Sequence, residues 1–442
     1  MGWSNQEKLI CIQDDGMVVL HDMYGRFEHS FLVSQKAQES KVVDAEIFTS
    51  PQNCTGVALL TLNDKVFLVN NILKPKCRQL SELPKDLKPN CWGIIAEEPQ
   101  TEVLMACGKD LYRLKQDEHH TSVLLEPDIS RPFNAIIMMS ISFNARHIAL
   151  FTDSGCIWLG STNFRNKYYE IDTDIQYIPK QLMWCGNDAV AAYCERDNTV
   201  YLFGKHDNKI TFFYDDSVHL AQEIDGIRII SNTTHELLQK VPQVVQKIFR
   251  INSTEPGSFL VEASKQFQKR SHRANEYILL VKKDLQVAVE QCIEAVGYEF
   301  DTDIQKKLIR AAQFGKCFIS DTNTDKYVAM CRLLRVLNEV RNPRIGIPIT
   351  MTQLTYQTNT VLLDRLIARK EYYLALQIAK YLKLPDKEGR NHILVHWAKY
   401  KVSQSQLEEE TVAREIADKL GYTPGISYKE VAYVAAEHGR KK

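Results

Sequence analysis

Along the first half of the chain, short apolar runs alternate with polar turns of two or three residues. Residues 9–12 and 17–20 flank Asp15 and Gly16; 57–62 and 66–69 flank Asn63 and Asp64. The pattern repeats around Lys109 and Asp110, around Ser154 and Gly155, and around Asp197 and Asn198. Counted from the first residue of each turn pair, the spacings are 48, 46, 45 and 43. A hairpin recurring every 40–45 residues predicts propeller blades, each too small to bury its own faces. The turn residues tolerate the positive φ that tight hairpins need, and the flanks are rich in β-branched and aromatic side chains. A further strand carrying an aromatic precedes some hairpins, as at 139–143 and 182–184, and 224–230 with 236–241 forms one more hairpin before Pro242. The expectation is a β-propeller over residues 1–242 with five clear blades and a partial sixth. Met1 lies only a few residues before the first strand, so the first blade is expected to be incomplete and to expose unpaired strand edges.

Beyond residue 242 the period changes. Ala288, Val289, Cys292, Ile293 and Val296 follow the i, i+1, i+4, i+5, i+8 template of one helix face. Leu374, Ala375, Ile378, Ala379 and Leu382 repeat it, as do Val412, Ala413, Ile416, Ala417 and Leu420. Gly297, Gly315, Pro343, Pro348, Pro385, Gly421 and the pair Pro424 and Gly425 divide the region into short helices. Residues 243–258 are expected to be a linker with Pro256 and Gly257 as a helix start, and 259–442 an α-solenoid of helix pairs.

Composition narrows the function classes. The 442 residues are 44% hydrophobic and 25% charged, as in ordinary globular proteins. Fifty-five basic residues balance 55 acidic ones, so nothing in the overall charge favours nucleic acid or an anionic membrane as main partner. The longest apolar stretch, 135–141, is far short of a membrane span. The N-terminus lacks a signal pattern, and Gln6 stands where myristoylation prefers Ser or Thr. The 11 cysteines include no pair two residues apart; Cys11, Cys107, Cys292 and Cys331 sit in apolar runs, as small buried hydrophobes do. A cytoplasmic protein with reduced thiols is expected.

Candidate chemistry is sparse. There is no phosphate-binding glycine loop and no nucleophile elbow, so no catalytic, cofactor-binding or metal-binding residue is assigned. His392 and His396 stand at i and i+4, but Ile393 replaces the glutamate of a zinc protease and no third ligand is evident; a structural role is expected. The basic run Lys265, Lys269, Arg270, His272 and Arg273 could meet lipid headgroups, but Glu262 and Glu276 dilute it and a solvated helix face is the expectation. Trp3, Trp92, Trp158 and Trp184 are expected in the propeller core. Asn53, Asn232 and Asn252 fit the glycosylation pattern, which a cytosolic chain would not use. Asp225 with the Ser231 to His235 segment could form an Asp-His-Ser cluster, but nothing in the sequence selects such a geometry.

Several blocks carry a resemblance: SISFNARHIALFTDSGCIWLG (140–160), EIDGIRIISNTTHELLQKV (223–241), QCIEAVGYEFDTDIQKKLIRAAQFGKCF (291–318), IGIPIT (345–350) and KLGYTPGISYKEVAYVAAEHGR (419–440). They span nearly the whole chain and fit no common motif. The chain resembles the family of the sixteenth vacuolar protein sorting subunit, a core member of the HOPS and CORVET tethering complexes, in the form of an invertebrate homologue truncated at both ends. The resemblance implies a β-propeller followed by an α-solenoid. It also implies a non-catalytic scaffold in endosome–lysosome and autophagosome–lysosome trafficking, peripheral on late endosome and lysosome membranes. The implied partners are the other core subunits, including the Sec/Munc-type SNARE-binding subunit, whose docking region is expected beyond residue 442. Membrane contact is expected mainly through the complex. A coat-like or nuclear-pore-like propeller-solenoid subunit is the alternative, and a propeller hydrolase would need convergent polar groups that the sequence does not show.

Overall fold

The computed structural model describes residues 1–84, 87–97, 100–116, 122–175, 177–204, 208–319, 324–404, 408–421 and 423–440. Tyr422, Lys441 and Lys442, which belong to segments named above, lie outside this set. The chain divides into two compact units, Met1–Lys240 and Val241–Lys442.

The first unit is a series of antiparallel sheets, each a meander in chain order. The first sheet holds β1 (Gly2–Trp3), β2 (Leu9–Ile12), β3 (Met17–His21) and β4 (Phe27–Leu32). After a short helix, α1 (Gln35–Ser40), come β5 (Val42–Thr49), β6 (Thr55–Thr61), β7 (Val66–Val69) and β8 (Cys77–Gln79). The third sheet is β9 (Cys91–Ala96), β10 (Thr101–Cys107), β11 (Asp110–Leu114) and β12 (Val123–Leu125). The fourth is β13 (Ile136–Ile141), β14 (His147–Thr152), β15 (Cys156–Ser161) and β16 (Lys167–Asp172). The fifth is β17 (Gln181–Cys185), β18 (Ala189–Cys194), β19 (Thr199–Phe203) and β20 (Lys209–Phe213). The last has three strands, β21 (His219–Gln222), β22 (Gly226–Ile230) and β23 (His235–Gln239). These are six propeller-like blades, the sixth partial as expected. The first blade is not short of a strand: Gly2 and Trp3 pair with Ile10 and Leu9 across a five-residue turn, so very few residues suffice for its fourth strand.

Turn chemistry explains the hairpins. Gly16, Asp64, Gly108, Gly155 and Asn198 all have positive φ, between 48° and 76°, one in each predicted turn. In the third turn the left-handed residue is Gly108, and Asp110 already pairs with Cys107. The central strands are buried on both faces, so they appear as continuous apolar runs rather than alternating ones. Their two-residue period then sends alternate side chains to opposite neighbours. Val57 and Leu59 pack with Ile10, Val18 and Leu20 of the first blade, whereas Ala58 and Leu60 pack with Trp92, Ile94 and Val103 of the third. Likewise Ala149 and Phe151 face Leu182 and Val190, while Ile148 and Leu150 face Leu104 and Ala106. Each apolar layer is therefore shared by two consecutive blades.

The second unit is helical: α2 (Gln243–Phe249), α3 (Pro256–Gln268), α4 (Arg273–Val281), α5 (Leu285–Tyr298), α6 (Thr302–Lys316), α7 (Thr324–Val340), α8 (Met351–Ala368), α9 (Tyr372–Tyr381), α10 (Arg390–Ser403), α11 (Glu409–Leu420) and α12 (Tyr428–Glu437). Three successive cores hold it together, centred on α2 to α6, on α7 to α9 and on α10 to α12. Serial cores of this kind are what stacked helical pairs build. The segment 243–258, expected as a linker, contains α2 and the first residues of α3. Val244, Val245 and Ile248 of α2 are buried against Leu260 and Leu285, a helical stripe too short to stand out in the sequence. Pro256 does open α3, at a position where its missing N–H costs nothing. Gly297 and Gly315, expected to divide the helices, lie one residue inside the ends of α5 and α6 and are buried there. A Cβ on Gly315 would stand 2.6 Å from Val289 and 2.9 Å from Leu260, so its absence sets how closely α6 approaches α3 and α5. Helix α8 is two helices joined at Thr358, whose φ of 73° and ψ of 163° are strained for a β-branched residue.

Candidate interaction surfaces

Between blades, the innermost strands are tied by side-chain clamps. On β9, Trp92 is buried and its Nε1 donates to Asp44 Oδ2 of β5 at 2.7 Å. On β17, Trp184, near the opposite end of its strand, donates to the Ser140 carbonyl of β13 at 3.0 Å. Gln222 of β21 reaches the Ile141 carbonyl of the same β13 strand at 3.1 Å. Beside Asp44 on the same face of β5 lies Glu46. Burial, with the Asp44 charge adding to it, pushes the Glu46 carboxyl up to about 8. Burial also raises the Cys91 thiol to about 12, so it has little thiolate character.

The helical unit carries a cleft of about 620 Å³. Ile293 of α5, Met330 and Leu333 of α7, and Met351 of α8 make its apolar floor, and Glu290 and Lys326 stand on opposite walls 3.9 Å apart. Gly297 creates part of the space, since a Cβ there would meet Met351 at 3.0 Å and Met330 at 3.4 Å. Asn359, next to the strained Thr358, lines the same cleft. Sequence reading missed this feature because the two methionines lie on separate helices and either alone is ordinary core.

The residues singled out in the sequence are dispersed. His392 and His396 do share a face of α10, ring centroids 4.7 Å apart, and His392 Nε2 lies 2.7 Å from Asp364 Oδ1 of α8. Among the described residues no group of three or more His, Cys, Asp or Glu side chains is placed to hold a metal. The hydrogen bond to Asp364 raises the His392 imidazole above its ordinary value, whereas burial and the His392 charge lower His396; Lys399 and Glu430 complete the surroundings. A raised imidazole contributes stability that is present below the ordinary histidine range and lost as pH rises through the raised value. Asp364→Asn should therefore cost about 0.5 kcal/mol at mildly acid pH and almost nothing at pH near 8, as thermal unfolding followed by circular dichroism will register.

Trp92, Trp158 and Trp184 are buried, but Trp3 is 58% exposed. The core expectation fails there because β1 is only two residues long. Cys107 and Cys292 are buried, Cys11 and Cys331 half-buried, and all 11 cysteines are free thiols. Asn53, Asn232 and Asn252 are exposed in turns. Asp225 and Ser231 bracket β22 from opposite ends, roughly 20 Å apart at about 3.4 Å per residue, and Ser231 is engaged with Thr233 and Thr234 of its own turn. No catalytic triad forms there. The basic run occupies the end of α3 and the start of α4, where Lys265 pairs with Glu262 at 3.2 Å.

No helix among the described residues is long and apolar enough to cross a membrane. Comparison with solved structures finds, among others, the β-propeller domain of Cps50 (Swd1) from Myceliophteria thermophila, at a TM-score of 0.37 and 13% identity, covering 54% of this chain and 82% of that one. Comparison of sequences is more telling. A vacuolar protein sorting-associated protein 16 homolog of Drosophila melanogaster is 37% identical over 447 residues, covering 100% of this chain and 53% of the relative. Protein VACUOLELESS1 of Arabidopsis thaliana is 33% identical over 465 residues, again covering 100% of this chain and 53% of its own length. The chain thus spans about half the length of the curated relatives it matches. Residues 1–329, the blades and the first helices together, match the family described as Vps16, N-terminal region, and the chain belongs to that family.

Proposed function

We propose that this chain is a non-catalytic scaffold subunit of a HOPS/CORVET-type tethering complex, serving endosome–lysosome and autophagosome–lysosome trafficking and fusion. The observation that carries this reading is the family match, which runs without interruption from the blades into the helical unit. The architecture supports it. Six blades sharing apolar layers and helices stacked on serial cores offer large rigid faces, and interfaces between stable partners need on the order of 1,600 Å². The partners are the other core subunits of those complexes, the location is the cytoplasmic face of late endosomes and lysosomes, and membrane contact runs chiefly through the assembled complex. Holding two membranes at a fixed separation raises the effective concentration of the fusion machinery between them, with no chemistry required of the chain itself.

The test is affinity capture of the full chain from cells of its own source, with mass spectrometry of the co-purifying proteins. Recovery of tethering-core subunits in fixed proportion is the expected result. Capture of coat or nuclear-pore components instead, with no tethering subunit, overturns the reading.

A further inference from the structure

We propose that the C-terminal ends of α3 and α6 form a docking surface for an anionic lipid bilayer. Three phenylalanine rings make a ladder there. Phe267 of α3 and Phe314 of α6 lie 4.8 Å apart, and Phe314 and Phe318 lie 5.1 Å apart. Phe314 is packed against the helical core and anchors the row, while Phe267 is 60% exposed and Phe318 51% exposed. Single exposed apolar residues are ordinary, but contiguous ones mark contact sites, and Phe267 and Phe318 are joined into one row through Phe314.

Charge identifies what covers the ladder. Lys269 caps α3 two residues after Phe267, Arg270 follows with a φ of 56°, and Arg273 opens α4. All three are exposed, and among the described residues none of them makes an ion pair. Lys265, by contrast, is engaged by Glu262, and Lys316 sits over the Tyr327 ring at 4.5 Å. Lys269 also acts on the Glu262 carboxylate, but it, Arg270 and Arg273 are three exposed cations within six residues of Phe267, and with the exposed rings they supply the two halves of interfacial chemistry. The rings enter the headgroup–acyl boundary, and the long cationic side chains lie back to meet phosphates. An acidic peptide fits less well, because phenylalanine supplies none of the hydrogen bonds that would fix a peptide's register. The sequence alone showed the cations but not the ladder, since Phe314 and Phe318 lie 47 residues or more beyond Phe267.

The experiment is co-sedimentation of the full chain with vesicles of neutral phosphatidylcholine and with vesicles also holding about 30% phosphatidylserine. The expected result is binding to the anionic vesicles only, weakened by salt. Lys269→Glu with Arg270→Glu should abolish it, and Phe267→Ser with Phe318→Ser should reduce it at least tenfold. Far-UV circular dichroism of each variant checks folding; should the phenylalanine pair unfold the chain, Phe318→Ser alone replaces it. The proposal is overturned by wild-type chain that ignores anionic vesicles. Binding untouched by the phenylalanine changes also overturns it, since it would then be diffuse electrostatics. So does a glutamate-rich peptide that binds in a Lys269- and Arg270-dependent way while vesicles do not, which would make the surface a protein dock. None of these outcomes depends on membership of a tethering complex.

Discussion

Trp184→Ala should destabilise the bladed unit by about 3–5 kcal/mol, the range for removing a buried aromatic without refilling its space. The ring is 3% exposed, lies in the apolar layer shared by the fourth and fifth blades, and contacts His147 at 5.6 Å. Its Nε1 is also the donor that ties β17 to the Ser140 carbonyl of β13. Two costs therefore coincide, a cavity between blades and an under-satisfied carbonyl near the inner edge. Trp184→Phe separates them. It keeps most of the ring volume, loses the donor, and should cost about 1–2 kcal/mol. Trp3→Ala should stay within about 0.5 kcal/mol, because that ring is more than half in water. Urea denaturation followed by far-UV circular dichroism measures all three. A Trp184→Ala loss no larger than that of Trp3→Ala would show that the blades do not depend on the shared layer.

That contrast also marks where the sequence was legible. All four N-terminal tryptophans stand near strand signals, and nothing local separates Trp3 from Trp184; only the length of the strand and the presence of a packed neighbour do. The hairpins were legible because their turn residues must accept positive φ, and Gly16, Asp64, Gly155 and Asn198 do so. The long helices were legible because one face of each enters a core. The short helix α2 was not, since two turns carry too few apolar positions to establish a period. Gly297 and Gly315 marked the ends of α5 and α6 to within one residue, but their part in helix packing was not legible. A glycine that permits close helix approach looks, in one dimension, like one that ends a helix. The Met-lined cleft and the phenylalanine ladder were invisible because each is assembled from helices distant in sequence. The family blocks lie mostly in buried strands and helices, which is why they announce the fold more clearly than they announce any contact surface.

The stability of the same bladed unit should fall as pH rises from acid to mildly alkaline values, and Glu46→Gln should remove much of that fall. Glu46 is held on β5 beside Asp44, whose carboxylate is engaged by the Trp92 donor. Burial and the Asp44 charge raise the Glu46 carboxyl from 4.5 to about 8. A carboxyl that binds its proton more tightly when folded gives stability that is complete below its unfolded value near 4.5. That stability drains away as pH climbs and is gone once pH passes the folded value near 8. Glutamine has the shape of the protonated acid and does not titrate. The variant should therefore match the wild type near pH 4.5 and exceed it near pH 9 by about 2 kcal/mol. That is roughly half of what the full shift converts to at about 1.4 kcal/mol per unit, because the strand edge keeps the side chain partly wet. Tryptophan fluorescence is the natural probe, since four of the five tryptophans lie in the bladed unit and Trp92 is hydrogen-bonded to the carboxylate next to Glu46. Because other groups titrate over the same interval, the informative quantity is the difference between variant and wild type at each pH. A constant difference across the range would mean that Glu46 is ionised in the folded chain, with the Asp44 pair screened by solvent rather than sealed between blades.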